Sequence, residues 1–255
     1  MTDLTRLRLE RIVERLLTPW QNAGGPGVTI GVVRDDVLHV HRSAGLANVE
    51  LGVSIGPCTT FRIASVSKQF TCAAILMLAA DGRLNIEDDV RTHLPTFPYL
   101  EAPITLAHLM HNTSGIRDML EIMRLGGVDL GQACIAQDLL DAVWRQQRLN
   151  FLPNTSYLYS NSNFMLLGHV VERISGEPLA DFLDRHFFAP LGMMMTRHTP
   201  TIDELVPGLA RLSSRARRLA PRMAPFPAAR RGRARILRRR SRALACTVSR
   251  TSTAR

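Results

Sequence analysis

The chain is almost without lysine. Of its 32 basic residues, Lys68 alone is lysine and the rest are arginine. Aromatic residues are scarce as well, at 5%, so a core built from the 45% hydrophobic content is mainly aliphatic. A chain of 255 residues is long enough to bury such a core. Long apolar runs are missing: no stretch approaches the roughly 18 apolar residues of a membrane-crossing helix. The four cysteines, Cys58, Cys72, Cys134 and Cys246, show no C-x-x-C or other metal-ligand spacing. That pattern argues against a disulfide framework and a zinc site and for reduced, mostly buried thiols. The opening MTDLTRLRLERIVERLL mixes acids with arginines and has no apolar h-region, so no signal peptide is read there and the expected location is cytoplasmic.

Acids are missing from one region only. Residues 211–255 hold fifteen arginines and no acid, net +15, whereas residues 1–210 hold sixteen arginines, one lysine and 22 acids, net −5. The overall charge of +10 therefore belongs to the tail. Arg, Ala, Pro and Ser dominate that tail, with no amphipathic period, so it buries too little apolar surface to offset its ordering entropy. The expected organisation is a folded body, 1–210, and a poorly ordered tail, 211–255.

The body reads as α/β. Leu4, Leu7, Leu9, Ile12, Val13, Leu16 and Leu17 recur at helical spacing. Gly27 to Val33 and Val37 to His41 read as two strands joined at Asp35-Asp36, a β-hairpin. His39 and His41 share one face of the second strand; with no third ligand evident, they read as ordinary strand histidines and no metal is expected. Helices are expected over 66–80, with Phe70, Ala73, Ala74, Met77 and Leu78 on the apolar face, then over 104–115, 135–147, 162–175 and 178–188. Asn85 is placed to cap a short segment between the first two of these. Residues 153–161 read as loop or extended chain. No internal repeat is present.

Lys68 follows Ser65 by three residues in FRIASVSKQF. On a helix these positions share a face. Serine is a weak nucleophile until a base takes its proton. A lysine can be that base where its surroundings favour the neutral amine, while arginine stays protonated. A surface lysine on an amphipathic helix is the bland alternative, and the apolar flanks weaken it. In SYLYSNSNF, Tyr159 and Asn161 are two apart and face the same way if extended. A tyrosine hydroxyl can relay a proton, and an asparagine amide can hold a substrate carbonyl and bond the lysine. Ser160 or Asn161 also suits the cap of a helix starting near Ser162.

Ser65-Val66-Ser67-Lys68 followed by Tyr159-Ser160-Asn161 resembles the serine β-lactamase and penicillin-recognising hydrolase family, in its class C-like branch with a Y-x-N second motif. HNTSGIRD (111–118), GHVVERISGEPLADFL (168–183) and APLGMMMTRH (189–198) are similar to that family too, and within it the chain looks most like D-aminopeptidase-like and esterase-like members. The resemblance covers roughly residues 5–210. It implies a β-lactamase-like fold: an antiparallel sheet flanked by helices, plus a helical subdomain. It implies Ser65 as the acyl-forming nucleophile and Lys68 as general base, alone or shared with Tyr159. Tyr159 would protonate the leaving group, and Asn161 would position the substrate amide. The Ser65 backbone N–H would be one oxyanion donor. His111, Asn112, Ser114 and Asp118 would have turn and capping roles. No cofactor and no metal are implied, and the partner would be a small-molecule or peptide substrate.

The family's third motif, K-T-G or H-x-G on a strand C-terminal to Y-x-N, has no counterpart after Asn161. The sheet is therefore expected to be incomplete, with an open edge, exposed apolar surface and little turnover. Two other readings compete: an inactive binding protein that keeps the helical part, and a nucleic-acid binder acting through the arginine tail. The tail has one aromatic, Phe226, so base stacking is unsupported. The change of character near Arg211 is read as a change of reading frame in a GC-rich gene. Translating the DNA downstream of Arg211 in the other frames is expected to give strand-like sequence with H-x-G or K-T-G; its absence from every frame would refute this.

Overall fold

The computed structural model describes residues 3–21, 24–128, 136–199 and 204–211. The Arg-rich segment expected to be poorly ordered lies, beyond Arg211, outside the described residues. The chain divides into two compact units, one made of residues 1–62 with the segment from Val206, the other of residues 63–205.

In the first unit, helix α1 (Asp3–Leu17) packs on a hairpin of β1 (Val28–Arg34) and β2 (Val37–Ala44). Val13, Leu17 and Val40 are buried together, with Leu9, Val28, Ile30, Val32 and Ala44 around them. Each such aliphatic side chain contributes about 1.5–3 kcal/mol when fully buried. The apolar stripe of α1 is wider than its partner, and Leu7, Ile12 and Leu16 remain exposed. Asp35 and Asp36 both take positive φ, 52° and 59°, the backbone of a tight turn that matches strand twist. His41 does what a strand histidine ordinarily does: its Nε2 lies 2.9 Å from the Thr29 hydroxyl on the neighbouring strand.

Strands β3 (Leu46–Asn48) and β4 (Val53–Ser54) form a second antiparallel pair. Among the described residues, then, the sheets are two-stranded. The late segment VPGLAR returns to this unit. Thr60 N–H donates to the Gly208 carbonyl at 2.9 Å, Ala210 N–H to Thr60 at 2.9 Å and Arg211 N–H to Ala47 at 2.8 Å.

The second unit is helical. A 3-10 turn (Ala64–Ser67) leads into α2 (Lys68–Ala80). Then come α3 (Val90–His93), α4 (Leu106–Met110), α5 (Met119–Leu125), α6 (Ala136–Trp144), α7 (Asn161–Ser175) and α8 (Leu179–Leu183), the last followed by a wide turn through Phe188. Helices α2 and α7 pack against each other and carry the core. Phe70, Ala74, Ile75 and Leu78 come from α2, and Leu166, Leu167, Val170 and Val171 from α7. Phe188 closes one end edge-on to Phe70, with ring centroids 5.2 Å apart.

Three local expectations need correction. The helix expected over 66–80 begins as a tighter 3-10 turn, because Ala64 is left-handed (φ 47°) and sets the chain off its helical path. The helix expected to run to Gly115 stops at Met110, because Asn112 is left-handed (φ 58°) and turns the chain into a side-chain-bonded loop. Asn85 caps no helix: its side chain closes a local turn onto Glu87 N–H, and Asp89 caps α3 through Arg91 N–H.

Gly115 (φ 76°) meets the chain at its closest point, since a Cβ there would lie 2.0 Å from the Phe151 carbonyl oxygen. Gly82 has a similar φ, 70°, and among the described residues nothing lies within 4 Å of a Cβ there. Gly82→Ala is expected to cost roughly 1–2 kcal/mol from conformation alone. Gly115→Ala adds the collision and is expected to cost more than about 3 kcal/mol. Denaturant midpoints of the two variants, measured side by side, check the difference.

Candidate active site

Ser65 is exposed within the 3-10 turn, and Lys68 opens α2 one turn later. The Ser65 carbonyl accepts the Lys68 backbone N–H, which fixes the spacing of the two side chains. Lys68 Nζ donates to Ser65 Oγ at 3.3 Å. Tyr159 OH is closer, 2.6 Å from the same oxygen, with either atom able to donate. Lys68 Nζ also donates to Asn161 Oδ1 at 2.8 Å. The structure thus brings together all four residues singled out from the sequence, with directly bonded partners as far apart as 94 positions.

Two aromatic faces flank the lysine. Its Nζ lies 4.9 Å from the ring centroid of Tyr159 and 5.2 Å from that of Phe164, within cation–π range of both. Phe164 was not singled out in the sequence, although it lies one helical turn beyond Asn161. Burial pushes the Tyr159 phenol up, but its hydrogen bonds with Lys68 and Ser65 and the lysine charge outweigh this, and the net shift is downward. A tyrosine so placed gives up its proton more readily than an ordinary one.

The start of α7 carries a further correction. Neither expected residue caps it from its own segment. Ser160 occupies the cap position without a side-chain cap bond, and its Oγ is buried without a partner among the described residues. The cap comes from Asp118, whose Oδ2 accepts the Asn161 backbone N–H. The same oxygen accepts Asn161 Nδ2 at 2.8 Å. This settles the orientation of the Asn161 amide, with the carbonyl toward the ammonium and the NH2 toward the carboxylate. Among the described residues, Asp118 takes one of its two NH2 hydrogens.

The turn and capping reading of HNTSGIRD describes what these side chains touch. Asn112 Oδ1 accepts Ser160 N–H and Asn163 Nδ2, both at 3.1 Å. Ser114 Oγ donates to Asn163 Oδ1 at 2.7 Å. Asp118 Oδ1 caps α5 through Leu120 N–H and Glu121 N–H. The reach of Asp118 to Asn161 was not legible, because nothing in the sequence indicates that residue 118 lies beside residue 161. Outside the site, Leu152, Tyr157 and Leu158 are exposed, and Tyr159 itself is 40% exposed.

The family model described as Beta-lactamase matches residues 9–244. The chain belongs to the β-lactamase family. The match extends over much of the Arg-rich segment. The chain is 33% identical over 195 residues to a D-aminopeptidase of Gluconobacter oxydans, covering 76% of this chain and 36% of that one. It is 33% identical over 172 residues to a penicillin-binding protein of Bacillus subtilis, covering 67% and 37%. The chain thus spans about a third of the length of the curated relatives it matches. A D-amino acid amidase from Ochrobactrum anthropi SV3 superposes with a TM-score of 0.64 at 22% identity, over 79% of this chain and 57% of that one. That likeness concerns the fold, which is β-lactamase-like, with helices and small antiparallel sheets.

Tyr159 is expected to ionise below the ordinary tyrosine value of about 10. Tyrosinate absorbance, taken as wild type minus Tyr159→Phe, gives its midpoint. In Lys68→Gln both the lysine bond and its charge are lost, and the midpoint is expected to rise.

Proposed function

We propose that this member of the β-lactamase family is built to transfer an acyl group from an amide, peptide or ester to Ser65 and then to water. The observation that supports this most directly is the Ser65 oxygen, held 2.6 Å from Tyr159 OH and 3.3 Å from Lys68 Nζ. In this reading Tyr159 takes the Ser65 proton, since it is the nearer acceptor and has the lowered pKa. The Lys68 ammonium stabilises the phenolate from which that transfer starts. Ser65 Oγ bonds to the carbonyl carbon, and the resulting oxyanion meets the Ser65 backbone N–H. As the carbon–nitrogen or carbon–oxygen bond to the leaving group breaks, Tyr159 returns the proton to it. A water, deprotonated in the same way, then releases the acid and restores Ser65.

The names of the relatives favour a D-amino-acid amide as the acyl donor. Asn161, with one of its two NH2 hydrogens taken by Asp118, is the group we assign to the substrate carbonyl.

A serine-reactive fluorophosphonate, followed by peptide mass analysis, is expected to add its mass to the Ser65 peptide. Ser65→Ala is expected to abolish labelling, and Tyr159→Phe to slow it by about 10²-fold or more. Lys68→Arg keeps the charge and is expected to slow labelling too, because the bulkier guanidinium cannot sit where the ammonium does. Equal labelling of wild type and Ser65→Ala would overturn the proposal.

A further inference from the structure

Asp118 receives four N–H groups on one carboxylate. Its Oδ1 accepts Leu120 N–H at 2.9 Å and Glu121 N–H at 3.1 Å, while Oδ2 accepts the backbone and side-chain N–H groups of Asn161. The residue is only 8% exposed. An ionised carboxylate can accept at all four sites, whereas its neutral amide isostere has one oxygen and one NH2. The charge and shape of aspartate are therefore matched to two tasks at once. One is capping α5. The other is holding Asn161, by its backbone N–H at the start of α7 and by its side-chain amide.

We propose that Asp118 is a positioning residue for the acylation of Ser65, acting through Asn161 on Lys68. The proposal rests on the acyl-serine reading above. Anchored at its NH2, the Asn161 amide presents Oδ1 to Lys68 Nζ at 2.8 Å. Unanchored, the amide can turn about its last bond and set NH2 hydrogens against the ammonium, donor facing donor. Lys68 then loses its best acceptor, and its distance to Ser65 Oγ, already 3.3 Å, is no longer held. The chain of contacts is short: carboxylate, amide, ammonium, serine oxygen.

The α5 cap and the hold on Asn161 are separable by substitution. Asp118→Ser keeps a side chain that caps α5 well but is too short to span to Asn161. Asp118→Asn keeps the shape and forces an N–H against one of the two donor pairs. Both variants are expected to slow the bond-forming step of fluorophosphonate labelling by roughly tenfold or more, as expected for an unmatched buried donor, with half-saturating probe concentration unchanged. If Asp118 acts through Asn161, adding Asp118→Ser to Asn161→Ala slows labelling no further. Because the chain has one lysine, lysine labelled at its ε-carbon gives a single side-chain NMR signal that reports Lys68 without any need for activity. That signal is expected to move in Asp118→Ser and in Asn161→Ala.

Wild-type labelling rates in Asp118→Ser, or an unmoved Lys68 signal in that folded variant, would overturn the proposal. So would losses that simply add in the double variant. If wild type itself fails to label at Ser65, the acyl-serine reading falls, while the lysine signal still decides whether Asp118 positions Lys68.

Discussion

Asn112, Ser114 and Asp118 grip the first turn of α7 with side-chain hydrogen bonds, and the site depends on that grip. The first N–H groups of a helix have no partner within it. Here an adjoining segment supplies acceptors: Asn112 for Ser160, Asp118 for Asn161. Buried Ser162 reinforces the join, accepting Met119 N–H and donating to the Arg117 carbonyl. Buried polar groups are costly unless satisfied. Satisfied, they leave little freedom, so Tyr159 and Asn161 inherit a fixed direction from residues that do not themselves touch Ser65.

The electrostatics follow from that geometry. One ammonium sits among a serine hydroxyl, an amide carbonyl and two ring faces. A negative charge, Asp118, stands behind the amide and pushes the Tyr159 proton affinity up, against the pull of the lysine. The net result still lowers the phenol. A compact, rotatable ammonium suits such a place, and a planar guanidinium does not. This is a physical reason for a chain that uses arginine at every other basic position to keep lysine here.

The sequence made the helices, the hairpin and the four site residues legible for different reasons. Apolar spacing exposed α1 and α2, and Asp35-Asp36 exposed the turn, because both signals are local. Ser65-x-x-Lys68 was legible because one turn of chain brings the pair together. Tyr159 and Asn161 stood out by their motif rather than by any local rule. The early stop of α4 was not legible, since Asn112 leaves the helix to accept from Ser160 N–H and Asn163 Nδ2 at the start of α7. Nor was α5, a two-turn helix with a partly exposed face, or the borrowed cap. A residue that holds a distant backbone N–H looks, in sequence, like any helix-capping aspartate.

Ser65 and Lys68 lie on one side of a long closure, with Tyr159 and Asn161 on the other. Bringing the ends of so long a segment together is entropically costly and slow compared with forming one helical turn. During synthesis and folding, the serine–lysine pair therefore exists well before the phenol and the amide reach it. A nascent or partly unfolded chain then holds Ser65 beside Lys68 without Tyr159 or Asn161, and the four-residue arrangement arrives only with the tertiary structure. The long closure thus ties the assembly of the four side chains to the completion of the helical core around them.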